Sequence, residues 1–180
     1  PLTGDAPVEV LEMDLREHRE RLDPHQADLV LANPPYYPDG ARRPSPDAER
    51  ADAHHERHGT LADFVAAACY VLGHRGWLKL IAPPWRLGDL YAAIPGRDIK
   101  LTRLRMIHAD RTQGAYLFEA WLRRGGAPDL VVPPPLFIRG EDGRYTPEVA
   151  RRVAGAADPD PDPKAVTRAR EASASGRGGP

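Results

Sequence analysis

The 180-residue sequence predicts an α/β protein that holds the back half of an open sheet and ends in an antiparallel strand pair. Two observations support this fold class. Apolar, strand-like runs alternate with helix-like segments, which is the order that builds a parallel sheet covered by helices. In the C-terminal half, only a short turn separates the strand-like runs Ile99 to Ala109 and Ala115 to Arg123. Neighbouring strands with so short a connection usually pair antiparallel.

Local patterns place the individual elements. Thr60 followed by Asp63 is a capping-box-like start for a helix. In the first strand of the antiparallel pair, the apolar alternation slips at Arg103 and Leu104. The predicted elements are strands at Val8 to Met13 and Ala27 to Ala32, a helix from Thr60 to Gly73, a strand at Gly76 to Ala82, a helix at Trp85 to Ile94, the antiparallel pair, an extended segment over 130–138 and a short helix at Pro147 to Val153.

Composition narrows the class of protein. The formal net charge of −1 and the pI near 6.8 exclude a strongly basic nucleic-acid binder, so any RNA affinity has to come from a local patch. The single cysteine, Cys69, lies in an apolar helical run and excludes a disulfide framework and a thiolate zinc site. We therefore expect a protein of the reducing cytoplasm. The sequence has no signal peptide and no apolar run long enough to cross a membrane.

The most informative stretch is Asn33-Pro34-Pro35-Tyr36, which follows the apolar run Asp28 to Ala32. That run is typical of a buried parallel strand, and α/β folds bind their ligands where such strands end. Prolines have no N–H and a fixed φ, so the loop after the strand is stiff and presents carbonyl groups without competing donors. The sequence therefore predicts a ligand site at this strand end.

This tetrad suits a planar nitrogen. The lone pair of a purine amine or a carboxamide is delocalised into the adjacent π-system, which makes the nitrogen a poor nucleophile. The Asn33 side-chain oxygen and the Pro34 carbonyl can each accept one N–H and so orient the nitrogen. Tyr36 can stack on the flat ring, an interaction worth roughly 1–3 kcal/mol per base in nucleic-acid binders.

Two less specific interpretations stay open. Asn and Pro are common turn residues, so Asn33 and the prolines can form a plain turn. Asp14 follows the predicted first strand, where a carboxylate can accept a hydrogen bond from a nucleoside amine or hydroxyl. The same residue can instead cap the short charged segment Leu15 to Leu22.

The long segment from Pro38 to Gly59 has no apolar periodicity and leaves directly from the tetrad. Loops of this length are usually functional or disordered, and its arginines can contact phosphates or simply be solvated. Its histidines His54 and His58 have the spacing of a metal pair on a helix, but no third ligand accompanies them, and we expect no metal. The arginines of the segment are Arg42, Arg43, Arg50 and Arg57.

Together these residues resemble the bacterial tRNA (adenine-N6) methyltransferase family, whose members modify the adenine beside the anticodon of a valine tRNA. The family belongs to the class I S-adenosylmethionine-dependent methyltransferases, and Asn33-Pro-Pro-Tyr36 matches its catalytic motif. Tyr37 and Gly40 after the motif, Thr60-Leu61 at the helix start and the run from Leu136 to Glu148 narrow the resemblance. It extends from about residue 8 to about residue 153.

The resemblance implies a site and a cofactor. Asn33 and Pro34 would hold the amine, Tyr36 would stack on the base, and Pro35 would belong to the same catalytic motif. Asp14 would contact the adenine of S-adenosylmethionine, with Asn33 next to the cofactor. The substrate would be tRNA, and no metal would take part. The implied substrate and RNA contacts are Tyr36, Tyr37, Arg42, Arg43 and Arg57.

One departure from the family concerns the cofactor. The family's fold begins with a glycine-rich loop after the first strand, whereas Gly4 is the only glycine before the tetrad here. The first two strands of the sheet are therefore expected to be missing. On this view residues 1–153 are a partial methyltransferase domain that is inactive alone, with an unpaired edge beside the Asp28 to Ala32 strand. Residues 154–180 form a disordered tail, because their composition cannot bury enough apolar surface.

Other functions share the same motif. A carboxamide fits the clamp as well as an adenine does, so the substrate can be a glutamine of a release factor. Enzymes that methylate DNA adenine or rRNA guanine also carry the tetrad. A non-catalytic remnant that binds RNA through the arginine-rich segment is the remaining alternative.

Overall fold

The structure, a computed structural model, describes residues 8–36, 59–126 and 129–155. These residues form a five-stranded mixed sheet with short helices. The strands are β1 (Ala27–Ala32), β2 (Leu72–Ala82), β3 (Ile99–His108), β4 (Ala115–Arg124) and β5 (Leu136–Phe137); the α-helices are α1 (His18–Arg21), α2 (Leu61–Val71), α3 (Leu87–Ala93) and α4 (Pro147–Val153).

The strand order in the sheet is β1-β2-β4-β3-β5. β1 pairs parallel with β2, and β4 lies between β2 and β3 and is antiparallel to both. The short β5 is parallel to β3. The predicted antiparallel pair is confirmed, and so is the α/β fold class. The predicted slip in β3 is also present, as a register shift between Leu101 and Arg103.

One face of the sheet holds the main core. The apolar residues of α2 and α3 pack against the alternate positions of the central strands that point towards them. Thr60 caps α2 through the reciprocal bonds of a capping box with Asp63, as predicted. Burial raises the pKa of the Cys69 thiol, which packs against this core as a small apolar group. The largest core side chains are Leu61, Val65, Leu72, Leu78, Leu80, Leu90, Ile99, Phe118 and Leu122.

β1 lies at the edge of the sheet in the described part of the chain. It is parallel, as expected, but it is not buried on both faces, because Leu29 is 48% and Leu31 is 72% exposed. Both leucines lie on the face that α2 and α3 do not cover. The interpretation as a fully buried strand is therefore wrong, and the expected exposure of apolar groups along this strand is observed.

Three predicted elements differ from those in the structure. Val8 to Met13 forms no strand, and no strand of the described residues pairs with it; Val8 is 84% and Val10 is 89% exposed. β2 begins at Leu72, directly after α2, and its first residues bulge before regular pairing resumes at Trp77. The predicted helix after β2 is split into a 3-10 turn, Pro84–Arg86, and α3.

A small second cluster joins α4 and β5 to the sheet. Ile107, Leu136 and Val149 form its apolar part. Beside it, the buried guanidinium of Arg105 donates to the Pro134 carbonyl at 2.8 Å and pairs with both carboxylate oxygens of Glu148. The hydrogen bonds from Arg105 hold the pKa of Glu148 below its ordinary value. The predicted tail begins at residue 154. Residues 156–180 lie outside the described residues.

The Arg105–Glu148 pair predicts a pH dependence of stability. A carboxyl whose pKa is lowered by folding stabilises the protein above its unfolded pKa, and this contribution is lost as the pH falls through the folded pKa. We expect the wild-type urea midpoint to fall between about pH 5 and pH 3 and the Glu148→Gln midpoint to fall less. Glu141→Gln on the neighbouring exposed turn is the control. Equal pH slopes for wild type and Glu148→Gln would contradict this assignment.

Candidate functional site

The tetrad lies directly after β1, at the carboxyl end of the parallel pair. Asn33 is exposed, Pro34 is buried, and Pro35 and Tyr36 are half-buried. Neither the Asn33 side chain nor the Pro34 carbonyl has a hydrogen-bond partner among the described residues. The exposed Asn33 side chain can therefore reach a ligand, whereas Pro34 is buried, and the roles of both acceptors stay predictions.

Arg86 holds the second half of the tetrad in place. Its buried guanidinium donates through Nη1 to the Tyr36 carbonyl at 3.1 Å and to the Pro35 carbonyl at 3.4 Å. Its Nε lies 2.7 Å from a carboxylate oxygen of Asp89, one turn along the chain. Arg86 comes from the 3-10 turn after β2, and Pro84 in that turn fixes the direction in which the chain leaves the strand.

Aromatic side chains surround this end of the sheet. Burial raises the pKa of Tyr36, and the nearby Tyr116 raises it further, so the Tyr36 phenol stays neutral at pH 7. Tyr116 belongs to the start of β4, which reaches this edge because β4 runs antiparallel to β2, and it is 45% exposed. Trp85, just before Arg86, is 57% exposed. The rings of Tyr36, Tyr116 and Trp85 suit contacts with a planar ligand. Tyr116 was not singled out from the sequence.

An open cleft of about 380 Å³ lies beside Asn33, between β1, β2 and β4. Its walls are mostly apolar, with Lys79 and Glu119 as the charged members. Sequence reasoning missed both residues, although each is a single charged residue between apolar neighbours in its strand. The lining residues are Leu31, Ala32, Asn33, Lys79, Leu80, Ile81 and Glu119.

Asp14 caps the 3-10 turn Leu15–Glu17. One of its carboxylate oxygens accepts from the Arg16 backbone N–H at 2.9 Å and from Arg16 Nε at 2.8 Å, and the other pairs with the same guanidinium. The capping interpretation is therefore confirmed. The contact with the cofactor's adenine, implied by the resemblance, stays a prediction.

Several predicted site residues lie outside the described part of the chain. They belong to the segment between Tyr36 and Gly59, and the structure neither supports nor opposes their roles. Within the described residues, no group of three or more His, Cys, Asp or Glu side chains is arranged to hold a metal, and no helix is long and apolar enough to cross a membrane. The residues outside are Tyr37, Arg42, Arg43, Arg50, His54, His55, Arg57 and His58.

No family model and no curated protein has a significant match to the sequence. Among solved structures, a predicted O-methyltransferase from Agrobacterium tumefaciens aligns with a TM-score of 0.63 and 22% identity, over 83% of this chain and 64% of that protein. A proposed DNA modification methylase from Thermus thermophilus, solved with S-adenosyl-L-methionine, aligns with a TM-score of 0.43 and 13% identity, over 64% of this chain and 54% of that one.

A modification subunit of a proposed type I restriction enzyme from Vibrio vulnificus gives a TM-score of 0.45 at 13% identity, over 80% of this chain and 34% of that one. The two alignments with TM-scores below 0.5 are too loose to support an inference. The Agrobacterium alignment establishes a shared fold. The chain spans less than two thirds of the length of each of these three proteins.

The Arg86 contacts predict a local loosening when the guanidinium is removed. Arg86→Met leaves the Pro35 and Tyr36 carbonyls without their donor, which should cost about 1–3 kcal/mol in urea unfolding. The loosened backbone should also be cut faster by chymotrypsin after Tyr36. Asp89→Asn is the comparison variant, because it removes the anion beside Arg86 Nε and keeps the donor of the two carbonyl bonds. Equal cleavage rates for the two variants would show that Arg86 does not fix the tetrad.

Proposed function

We propose that the chain carries the amine-binding part of an S-adenosylmethionine-dependent N-methyltransferase that acts on the N6 amine of an adenine in tRNA. The observation that carries the proposal is the tetrad itself. Asn33 projects an unused amide beside a cleft, on a rigid corner that Arg86 ties to the next strand. The fold shared with a predicted O-methyltransferase agrees with this class of reaction.

The chemistry of this corner follows from its acceptors. An adenine N6 amine has two hydrogens, and the Asn33 oxygen and the Pro34 carbonyl accept one each. Fixing both hydrogens orients the nitrogen and favours the geometry in which its lone pair leaves the ring conjugation. Tyr36 stacks on the base, and its neutral phenol adds no charge to the site. These residues position the nucleophile and transfer no proton themselves.

S-adenosylmethionine supplies an electrophilic methyl group in reactions of this class. The residues of this chain do not by themselves fit a complete site for it. Both carboxylate oxygens of Asp14 are bonded to Arg16, and no glycine-rich turn precedes the tetrad in the sequence. The part of the reaction that we assign to this chain is therefore the capture and orientation of the amine.

The amine clamp predicts a preference for adenine over inosine. Inosine presents a carbonyl oxygen where adenine presents the amine, and two acceptors at the corner repel it. A single-stranded oligonucleotide with one adenine should bind about tenfold more tightly than the same oligonucleotide with inosine, since two hydrogen bonds are lost. Fluorescence anisotropy with the purified chain measures the ratio directly and needs no cofactor.

Substitutions of Asn33 provide the matched controls. Asn33→Ala removes one of the two acceptors and should lower the adenine-to-inosine ratio from about tenfold to about threefold. Asn33→Asp keeps an acceptor of nearly the same shape and should retain the preference. Equal wild-type binding of the two oligonucleotides, or an unchanged ratio in Asn33→Ala, would overturn the proposed clamp.

The same assay separates the substrate classes. A carboxamide also donates two hydrogens, so a glutamine peptide from a release factor is the competitor that matters most. We expect tRNA to displace the labelled oligonucleotide at lower concentration than this peptide or a DNA of the same sequence. More effective displacement by the peptide would assign the site to protein glutamine.

A further inference from the structure

The face of the sheet that α2 and α3 leave uncovered carries a cluster of cations and tryptophans. We call it the cation–tryptophan row: Trp77 and Lys79 on β2, Trp121 and Arg123 on β4, and Arg103 on β3. Trp77 pairs across the strands with Arg123, and Trp121 pairs with both Lys79 and Arg103. Residues in register on neighbouring strands lie about 5 Å apart on one face, so the five side chains adjoin one another. Trp121 and Arg103 are buried, and Trp77, Lys79 and Arg123 are half-buried.

Each cation of the row lies against a ring. Lys79 Nζ is 3.7 Å and Arg103 Cζ is 4.8 Å from the centre of the Trp121 ring, and Arg123 Cζ is 5.0 Å from that of Trp77. The two tryptophans meet edge to face, with ring centres 6.1 Å apart. Cation–π contacts of this kind hold long side chains in place. A ligand of the row therefore meets cations that are already ordered.

Glu119, two residues before Trp121 on the same face of β4, is a carboxylate beside the row, and it forms no ion pair with the row's cations among the described residues. Lys79, Arg103 and Arg123 make no ion pair in the part of the chain that the structure describes. In contrast, Arg105, two residues after Arg103, is paired with both carboxylate oxygens of Glu148. Arg103 is only 8% exposed, and its Nε is buried without a hydrogen-bond partner. A buried cation without an anion is costly, so the chemistry of the row points to an external negatively charged ligand.

The row also contains buried N–H donors without partners, and it adjoins the cleft beside Asn33. The Nε of Arg123 and the Nε1 of Trp121 are also buried without partners. Lys79 belongs both to the row and to the cleft that contains Asn33, so the row ends where the amine site begins. Glu119, next to the row on β4, also lines the cleft and has a buried, unpaired oxygen. This carboxylate disfavours an anion in the cleft itself.

We propose that the cation–tryptophan row binds the phosphate backbone of a single-stranded nucleic acid and so leads a base to Asn33. The proposal rests on the proposed function for the identity of the base, but not for the binding of phosphates. Several phosphates in sequence match several ordered cations along one surface, whereas a single small anion would engage only one of them.

The test measures binding of an oligouridine, which has no exocyclic amine for the clamp to recognise. Its affinity for the full chain should fall steeply with salt concentration. Lys79→Gln and Arg123→Gln should each weaken binding several-fold, and each should reduce the slope of log K against log salt by about 0.7, the value for one lost phosphate contact on a single strand. Both side chains are half-buried rather than core residues, so the variants should fold.

Arg144→Gln is the matched control, because Arg144 is exposed on the turn before α4 and has the same charge. Its salt slope should equal that of wild type. Equal slopes in Lys79→Gln, Arg123→Gln and wild type would overturn the row as a phosphate site. Displacement of oligouridine by polyglutamate at equal charge concentration would also overturn it, in favour of an acidic protein partner. An adenine-to-inosine binding ratio of one, together with the expected salt slopes, would count against the clamp at Asn33 and would support the row as a phosphate site.

Discussion

The site depends on the hydrogen bonds from Arg86 to the carbonyls of Pro35 and Tyr36. A loop with two adjacent prolines has lost two of its own N–H donors and cannot build the usual network of a turn. Arg86 provides the missing donors from the end of the neighbouring strand, and Asp89 balances its charge. The corner that presents Asn33 is therefore as rigid as the parallel pairing of β1 with β2, and the packed core maintains that pairing.

The topology of the sheet places the remaining groups around this corner. β4 enters the sheet between β2 and β3 and runs in the opposite direction, so its first residues lie at the carboxyl end of β2. This brings Tyr116 close to Tyr36 and Glu119 into the cleft beside Asn33. Residues far apart in the chain thus meet at one sheet edge, which is the usual location of ligand sites in α/β folds.

Local chemistry could be predicted from the sequence, and tertiary placement could not. The Thr60–Asp63 capping box and the tetrad depend on neighbours in the chain, and both are found where they were expected. Val8 to Met13 alternates like a strand, but a strand also needs a partner, and the pattern carries no information about one. Arg86 was missed for a related reason. In the sequence it is one basic residue at a helix start, and only the parallel pairing shows which carbonyls it reaches.

The two faces of the sheet explain why the net charge of −1 is a poor guide to ligands. One face is apolar and covered by helices, while the other collects Lys79, Arg103 and Arg123 on tryptophan rings. Contacts with a ring offset only part of the cost of holding a cation such as Arg103 away from water, because that cost is several kcal/mol. A sheet built for stability alone would have apolar residues at these positions. These cations are the observation on which the proposed phosphate site rests.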